Sequence, residues 1–190
     1  MELTLIIDQE FKGIDFQKNP LQKAEYDTCT FVNCNLSSIQ LSNIVFVECF
    51  FIDCNLSLSA IKNTSFKDVN FENCKLLGLQ FNECNSFLLN FTFTGCILNL
   101  TSFFKLNIPK TIFTNCKLEE SDFVEANLAN SIFDNCDLTK ATFENTNLEK
   151  VNFSTSYNYT IDPEINRLKK ATFSKDGLEG LLQKHQLIIT

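Results

Sequence analysis

The chain has 190 residues, 44% of them hydrophobic, and a formal net charge of −7. This size and apolar share suit a single buried core, and no Pro-rich or Gly-rich linker divides the sequence. The acidic balance argues against direct binding of nucleic acid, whose phosphates need cations.

The amino-terminal segment Met1 to Asp8 has a short apolar run and no basic leader, so neither a signal peptide nor a membrane span is expected. From Phe11 onward every fifth residue is large and apolar: Phe16, Leu21, Tyr26, Phe31 and so on to Phe81. The same period resumes two residues out of phase at Leu88 and runs through Phe93, Leu98 and Phe103 to Phe153. A helix face needs spacings of three and four and a strand needs alternation, so neither element explains a period of five. Two residues before each large position sits a second, usually small one, such as Cys29, Ser59, Ala126 or Ser131. A small and a large residue separated by one polar residue point the same way on a short extended segment. The intervening Asn, Asp, Lys and Glu residues then form the turn to the next segment.

A longer period closes the coil. Phe11, Phe31, Phe51, Phe71, Phe93, Phe113, Phe133 and Phe153 recur every twenty residues apart from one step of twenty-two. Cys34, Cys54, Cys74, Cys96, Cys116 and Cys136 form a second such series, each followed two residues later by Leu. Twenty residues therefore make one lap of four sides, and identical residues stack as ladders in a filled core, as in other solenoids. The nine cysteines are expected as compact buried hydrophobes rather than disulfides or metal ligands, consistent with a reducing cytoplasm.

This repeat, with segments such as SDFVE at 121–125 and ANLAN at 126–130, resembles the pentapeptide-repeat family. The resemblance implies an all-β solenoid, a right-handed quadrilateral β-helix, here of about seven coils over residues 1–155. Residues 156–190 leave the period and are expected to form a capping and dimerisation module. Within it Ser174 would cap a short helix, with Leu178, Leu181 and Leu182 as its apolar stripe, and Leu187, Ile188 and Ile189 would form a terminal strand. Ile165, Leu168 and Phe173 complete the expected dimer contacts.

The tail, beginning with Asp162-Pro163-Glu164-Ile165-Asn166-Arg167, is similar to that of the quinolone-resistance and microcin-immunity branch. That resemblance implies a homodimer whose acidic rod mimics DNA and binds DNA gyrase or topoisomerase IV. The eight acids Glu119, Glu120, Asp122, Glu125, Asp134, Asp137, Glu144 and Glu149 are opposed within their window only by Lys140, which gives 1 − 8 = −7. By repeat phase all eight should project outward. In contrast, Cys84 to Phe104 carries no charge, and Phe87 is expected to face outward as a contact. With one histidine and no glycine-rich phosphate loop, the sequence points to a binding protein, not an enzyme, and to no cofactor or metal. A competing expectation is an adaptor that binds an unrelated protein through Val32, Val45, Val47, Phe50 and Ile52 on the early coils.

Overall fold

The computed structural model describes residues 3–188. Every strand pairing in it is parallel. The first two strands are β1 (Thr4–Ile7) and β2 (Glu10–Lys12). Strands β3 (Ala24–Asp27), β5 (Val45–Val47) and β7 (Ser65–Lys67) continue β1 in a four-stranded sheet. Strands β4 (Thr30–Val32), β6 (Phe50–Ile52), β8 (Val69–Glu72), β9 (Phe91–Thr94), β10 (Ile112–Thr114), β11 (Ile132–Asp134), β12 (Asn152–Phe153) and β13 (Thr172–Phe173) continue β2 in a nine-stranded sheet. The nine-stranded sheet is face I of a square rod and the four-stranded sheet is face IV. Faces II and III are columns of single bridges, such as Asn35 to Asn55 and Ser102 to Asp122. Nine strands on face I define eight laps, which at about 4.8 Å each give a rod of roughly 38 Å.

The register on face I is that of the phenylalanine series: Phe11 pairs with Phe31, Phe51 with Phe71, Phe71 with Phe93 and Phe113 with Phe133. Their rings stack face to face, 4.7 Å apart at Phe31–Phe51 and 4.6 Å at Phe113–Phe133. A second stack, Phe103–Phe123–Phe143, meets the first edge-on, with interplanar angles of 86° for Phe103–Phe113 and 88° for Phe113–Phe123. Stacked and edge-to-face rings are both favourable arrangements.

All nine cysteines are free and buried. In the main series each thiol donates to the backbone carbonyl of a ladder phenylalanine on the lap before: Cys54 Sγ to Phe31 O at 3.3 Å, Cys116 Sγ to Phe93 O at 3.5 Å. Ser156 ends that column with the same bond, Oγ to Phe133 O at 2.8 Å. Burial pushes the Cys49 thiol up to about 12, so it stays protonated.

Most corners are turned by a residue in the left-handed region, and many of these donate their N–H to a backbone carbonyl of the next lap. Asn33, with φ 50°, donates to Ile52 O at 2.9 Å, and Asn115, with φ 53°, to Asp134 O at 2.8 Å. Asn and Asp suit that conformation, but Lys110, Glu125 and Leu100 adopt it as well. Gly95, at φ 66°, has a further reason to be glycine, since a Cβ there would collide with the Asn73 side-chain oxygen.

Two expectations need correction. Leu88 does not resume the inward series. It is 64% exposed at φ 56°, and Phe87 beside it is 67% exposed. Asn85 N bonds Thr64 O and Asn90 N bonds Phe66 O, which pins both ends of the insertion to the lap before. Leu89 packs partly buried against the core, which Phe91 completes. Phe91 is buried at a position held by Cys49 and Val69 on earlier laps, with its ring 5.3 Å from Phe81 and 5.0 Å from Phe93.

The tail does not abandon the coil at residue 156. Tyr159 turns inward one residue later than the period requires, and Asn166 then re-enters the small inward position, its Nδ2 donating to Phe143 O at 2.8 Å. β13 pairs with β12, and Phe173 stacks on Phe153 at 5.3 Å. The rod therefore has about eight turns rather than seven. Only after β13 does the chain leave it, through α1 (Glu179–Leu182) and a single 3-10 turn, Gln183–His185.

Candidate protein-binding surface

None of the eight acids is buried, but they do not form one stripe. By lap register Asp137 is central on face II and Asp122 on face III. Glu119 and Glu120 lie on the corner between those two faces. Glu125 and Glu144 occupy the next corner, Asp134 the corner between faces I and II, and Glu149 that between faces IV and I. The count of −7 for this window is also altered by neighbouring laps, since Lys105 reaches Glu125 at 3.5 Å and Arg167 reaches Glu149 at 2.7 Å. Lys140, already counted, reaches Glu120 at 3.1 Å. Exposed pairs of this kind add about 0–1 kcal/mol of stability each, but they neutralise the local field.

Asp122 and Asp137 also have a local structural task. Asp122 Oδ1 accepts from Val124 N at 2.9 Å, and Asp137 Oδ1 from Thr139 N at 3.1 Å. Asn127 and Asn147 make the same bond two residues ahead, at 3.2 Å in each case. Burial acts to raise the Asp137 carboxyl, but hydrogen bonds from Thr139 and Asn158 outweigh it and hold the group below its ordinary value. Glu144 makes no ion pair or side-chain hydrogen bond among the described residues, and Glu119 only accepts from Asn99 Nδ2 at 3.2 Å. These two are the acids most available to a partner.

The expected dimer contacts divide into two groups. Phe173 and Leu168 pack against the core as members of the coil, and Leu181 is half-buried against it. Ile165, Leu178, Leu187 and Ile188 are exposed, Ile188 at 93%. Leu182 is half-buried in α1. Leu187 and Ile188 are not in a strand, and Ile189 lies outside the described residues. Leu178, not Ser174, is the residue preceding α1. Ser174 Oγ instead accepts from Gly177 N at 3.0 Å in the turn before it. Lys184 ties the tail back to the rod through Asp162 at 2.8 Å and Glu164 at 2.6 Å.

The description "Pentapeptide repeat region" matches residues 24–92 and 86–158. The chain belongs to the pentapeptide-repeat family. Among solved structures it is similar to a trypsin-treated variant of QnrB1, a plasmid-mediated fluoroquinolone resistance protein, with a TM-score of 0.64 and 16% identity. That alignment covers 98% of this chain and 100% of the other. Full-length QnrB1 gives a TM-score of 0.52 at the same 16%, covering 96% and 100% of the two chains. At this identity the likeness establishes the fold. No curated protein sequence matches the chain.

Pentapeptide-repeat architecture accounts for how function is distributed along this sequence. Inward positions are committed to the ladders, and central Asp and Asn residues to the turns. The side chains left free at the surface are therefore those of the corners and the apolar residues that the repeat leaves outside. Val32, Val45, Val47 and Ile52 are half-buried outward residues, while Phe50 is 46% exposed. Among the described residues no helix is long and apolar enough to cross a membrane.

Proposed function

We propose that this pentapeptide-repeat protein binds a bacterial type II topoisomerase, DNA gyrase or topoisomerase IV, as a mimic of duplex DNA, and protects it from quinolones or peptide toxins. The observation that carries this reading is the match in fold over nearly the whole of both chains to QnrB1, a fluoroquinolone resistance protein. The exposed carboxylates of Glu119 and Glu144 supply negative charge on corners of a rod roughly 38 Å long. In this reading the protein acts in the cytoplasm, without binding nucleic acid itself, and pairs through exposed tail residues such as Ile165, Leu178, Leu187 and Ile188. The test is a gyrase supercoiling assay with a fluoroquinolone, with and without this protein. Restored supercoiling supports the reading, and no rescue or inhibition up to about 10 µM protein rejects it. Exposure of Phe50 beside Val32, Val47 and Ile52 favours a second reading, an adaptor that holds an unrelated protein on its early coils.

A further inference from the structure

Face IV, taken with the corner where it turns into face I, changes sign along the rod. On the laps before β9 it carries Asp8, Glu25, Asp27, Glu48, Lys67 and Asp68, which gives 1 − 5 = −4. On the laps after β9 it carries Lys110, Glu149, Lys150, Arg167, Lys169 and Lys170, which gives 5 − 1 = +4 in a chain of net charge −7. Arg167 pairs with Glu149 at 2.7 Å. Lys110, Lys150, Lys169 and Lys170 are exposed and make no ion pair among the described residues. The backbone of the last lap is open at the same place. On earlier laps of this face Leu128 N and Leu148 N donate to Asn147 O and Arg167 O, and Asn130 N and Lys150 N donate to Glu149 O and Lys169 O. The amide between them is taken by the central asparagine, Ala129 N by Asn127 Oδ1 and Glu149 N by Asn147 Oδ1. On the last lap the central residue is Arg167, which has no such oxygen, and the chain leaves the rod after β13. The N–H groups of Leu168, Lys169 and Lys170 therefore have no acceptor among the described residues.

We propose that this end of face IV receives a short acidic segment of a partner protein. Carboxylates of that segment pair with Lys110, Lys150 and Lys170 along the corner, and one of them takes the amides of Leu168 to Lys170. Three successive N–H groups at a corner turned by Lys170, at φ 61°, suit an anion. The earlier laps display the group that the middle amide takes, an oxygen on a planar side-chain carbon, and a carboxylate presents the same group. Lys110 to Lys170 spans three laps, about 14 Å. An extended segment sets every second side chain on one side at steps of about 6.6 Å, so three carboxylates cover about 13 Å. A duplex fits this patch poorly, because strong duplex binding uses about 6–10 phosphate contacts. The rest of the chain, at −7 − 4 = −11, also repels a long polyanion. Glu119 and Glu144 lie on other corners, so this site is separate from the acidic surface proposed for the topoisomerase.

The test is fluorescence anisotropy of a fluorescein-labelled hexaglutamate peptide titrated with the full chain. The expected result is saturable binding that weakens between about 50 and 200 mM salt. Lys150→Glu with Lys170→Glu weakens it at least about tenfold. Lys75→Glu with Lys117→Glu, on the opposite face II, changes the net charge equally and alters binding by less than about twofold. Lys169→Ala and Lys169→Pro remove the same charge, but only proline also removes the amide donor, so it binds about tenfold more weakly than the alanine variant. Pro109 already occupies the equivalent place on an earlier lap, before the left-handed Lys110, so the fold accommodates proline there and circular dichroism stays unchanged. No binding up to about 1 mM protein in the low-salt buffer overturns the proposal. So does an equal loss in the face II pair, which would make net charge the cause. Equal binding by the alanine and proline variants removes the amides from the site and overturns it too. A short DNA duplex that displaces the peptide and binds this patch more tightly would make it a phosphate site, which also contradicts the proposal.

Discussion

Phe113→Ala tests whether the aromatic ladder carries the stability of the rod. The ring is fully buried and stacked between Phe93 at 5.2 Å and Phe133 at 4.6 Å, with Phe103 and Phe123 edge-on at 5.9 and 6.1 Å. Truncating a buried Phe to Ala costs about 3–5 kcal/mol. The upper half of that range applies, because β10 is hydrogen-bonded on both sides, to β9 and β11, and cannot collapse into the cavity. Phe173→Ala at the carboxyl-terminal end provides the internal comparison. Phe173 is half-buried and stacks on one ladder ring, Phe153, with Tyr159 tilted against it at 5.5 Å. Fewer neighbours and partial exposure put its cost at about 1–2 kcal/mol. Urea unfolding followed by far-ultraviolet circular dichroism measures both variants. Equal losses would refute nearest-neighbour stacking as the source of stability, and no loss at Phe173 would refute the eighth turn.

At the insertion, Phe91→Ala should cost about 3 kcal/mol or more, while Leu88→Asn should be neutral or slightly stabilising, both read as urea midpoints. The reverse order would mean that Leu88, not Phe91, completes the core. Gly95→Ala should destabilise by about 1–3 kcal/mol, because it adds a Cβ to a left-handed corner already closed by Asn73. Tail docking should depend on pH. The hydrogen bond from Lys184, with the Glu164 amide, holds the Asp162 carboxyl below its ordinary value, and Asp162 with Glu164 raises Lys184. Asp162 therefore contributes above its unfolded value of about 4 and loses that contribution as pH falls through the lower folded value. Lys184 contributes below about 10.5 and loses its contribution as pH rises through the higher folded value. Methyl NMR of Leu181 should report loosening at both extremes, and Lys184→Ala should remove the pH dependence.

The square rod could be read from the sequence because each lap repeats one buried pattern, and stacking in register forces equivalent residues to be chemically alike. Phe31, Phe51 and Phe71 are identical for that reason. The insertion misled the reading because Leu88 and Phe91 both fit an inward position, and only packing decides which one the core takes. The return of the coil after residue 156 was hidden by Tyr159, which turns in one residue late, and by the proline at 163. Both mask a period that Asn166 and Phe173 resume. Asn166 in particular does not look like a core residue until its side chain is seen taking the carbonyl bond that Cys and Ser take elsewhere. The acidic window was legible as a composition, but its neutralisation was not, because Lys105 and Arg167 belong to neighbouring laps. The division of the acids into turn-forming Asp122 and Asp137 and available Glu119 and Glu144 likewise required the hydrogen bonds.

The central functional claim is that gyrase mistakes this rod for DNA, and fluorescence anisotropy of a labelled duplex bound to gyrase tests it most directly. The account predicts that the protein displaces the duplex, and that Glu119→Lys with Glu144→Lys weakens displacement by about tenfold while the fold survives. A duplex that stays bound with excess protein present would contradict it.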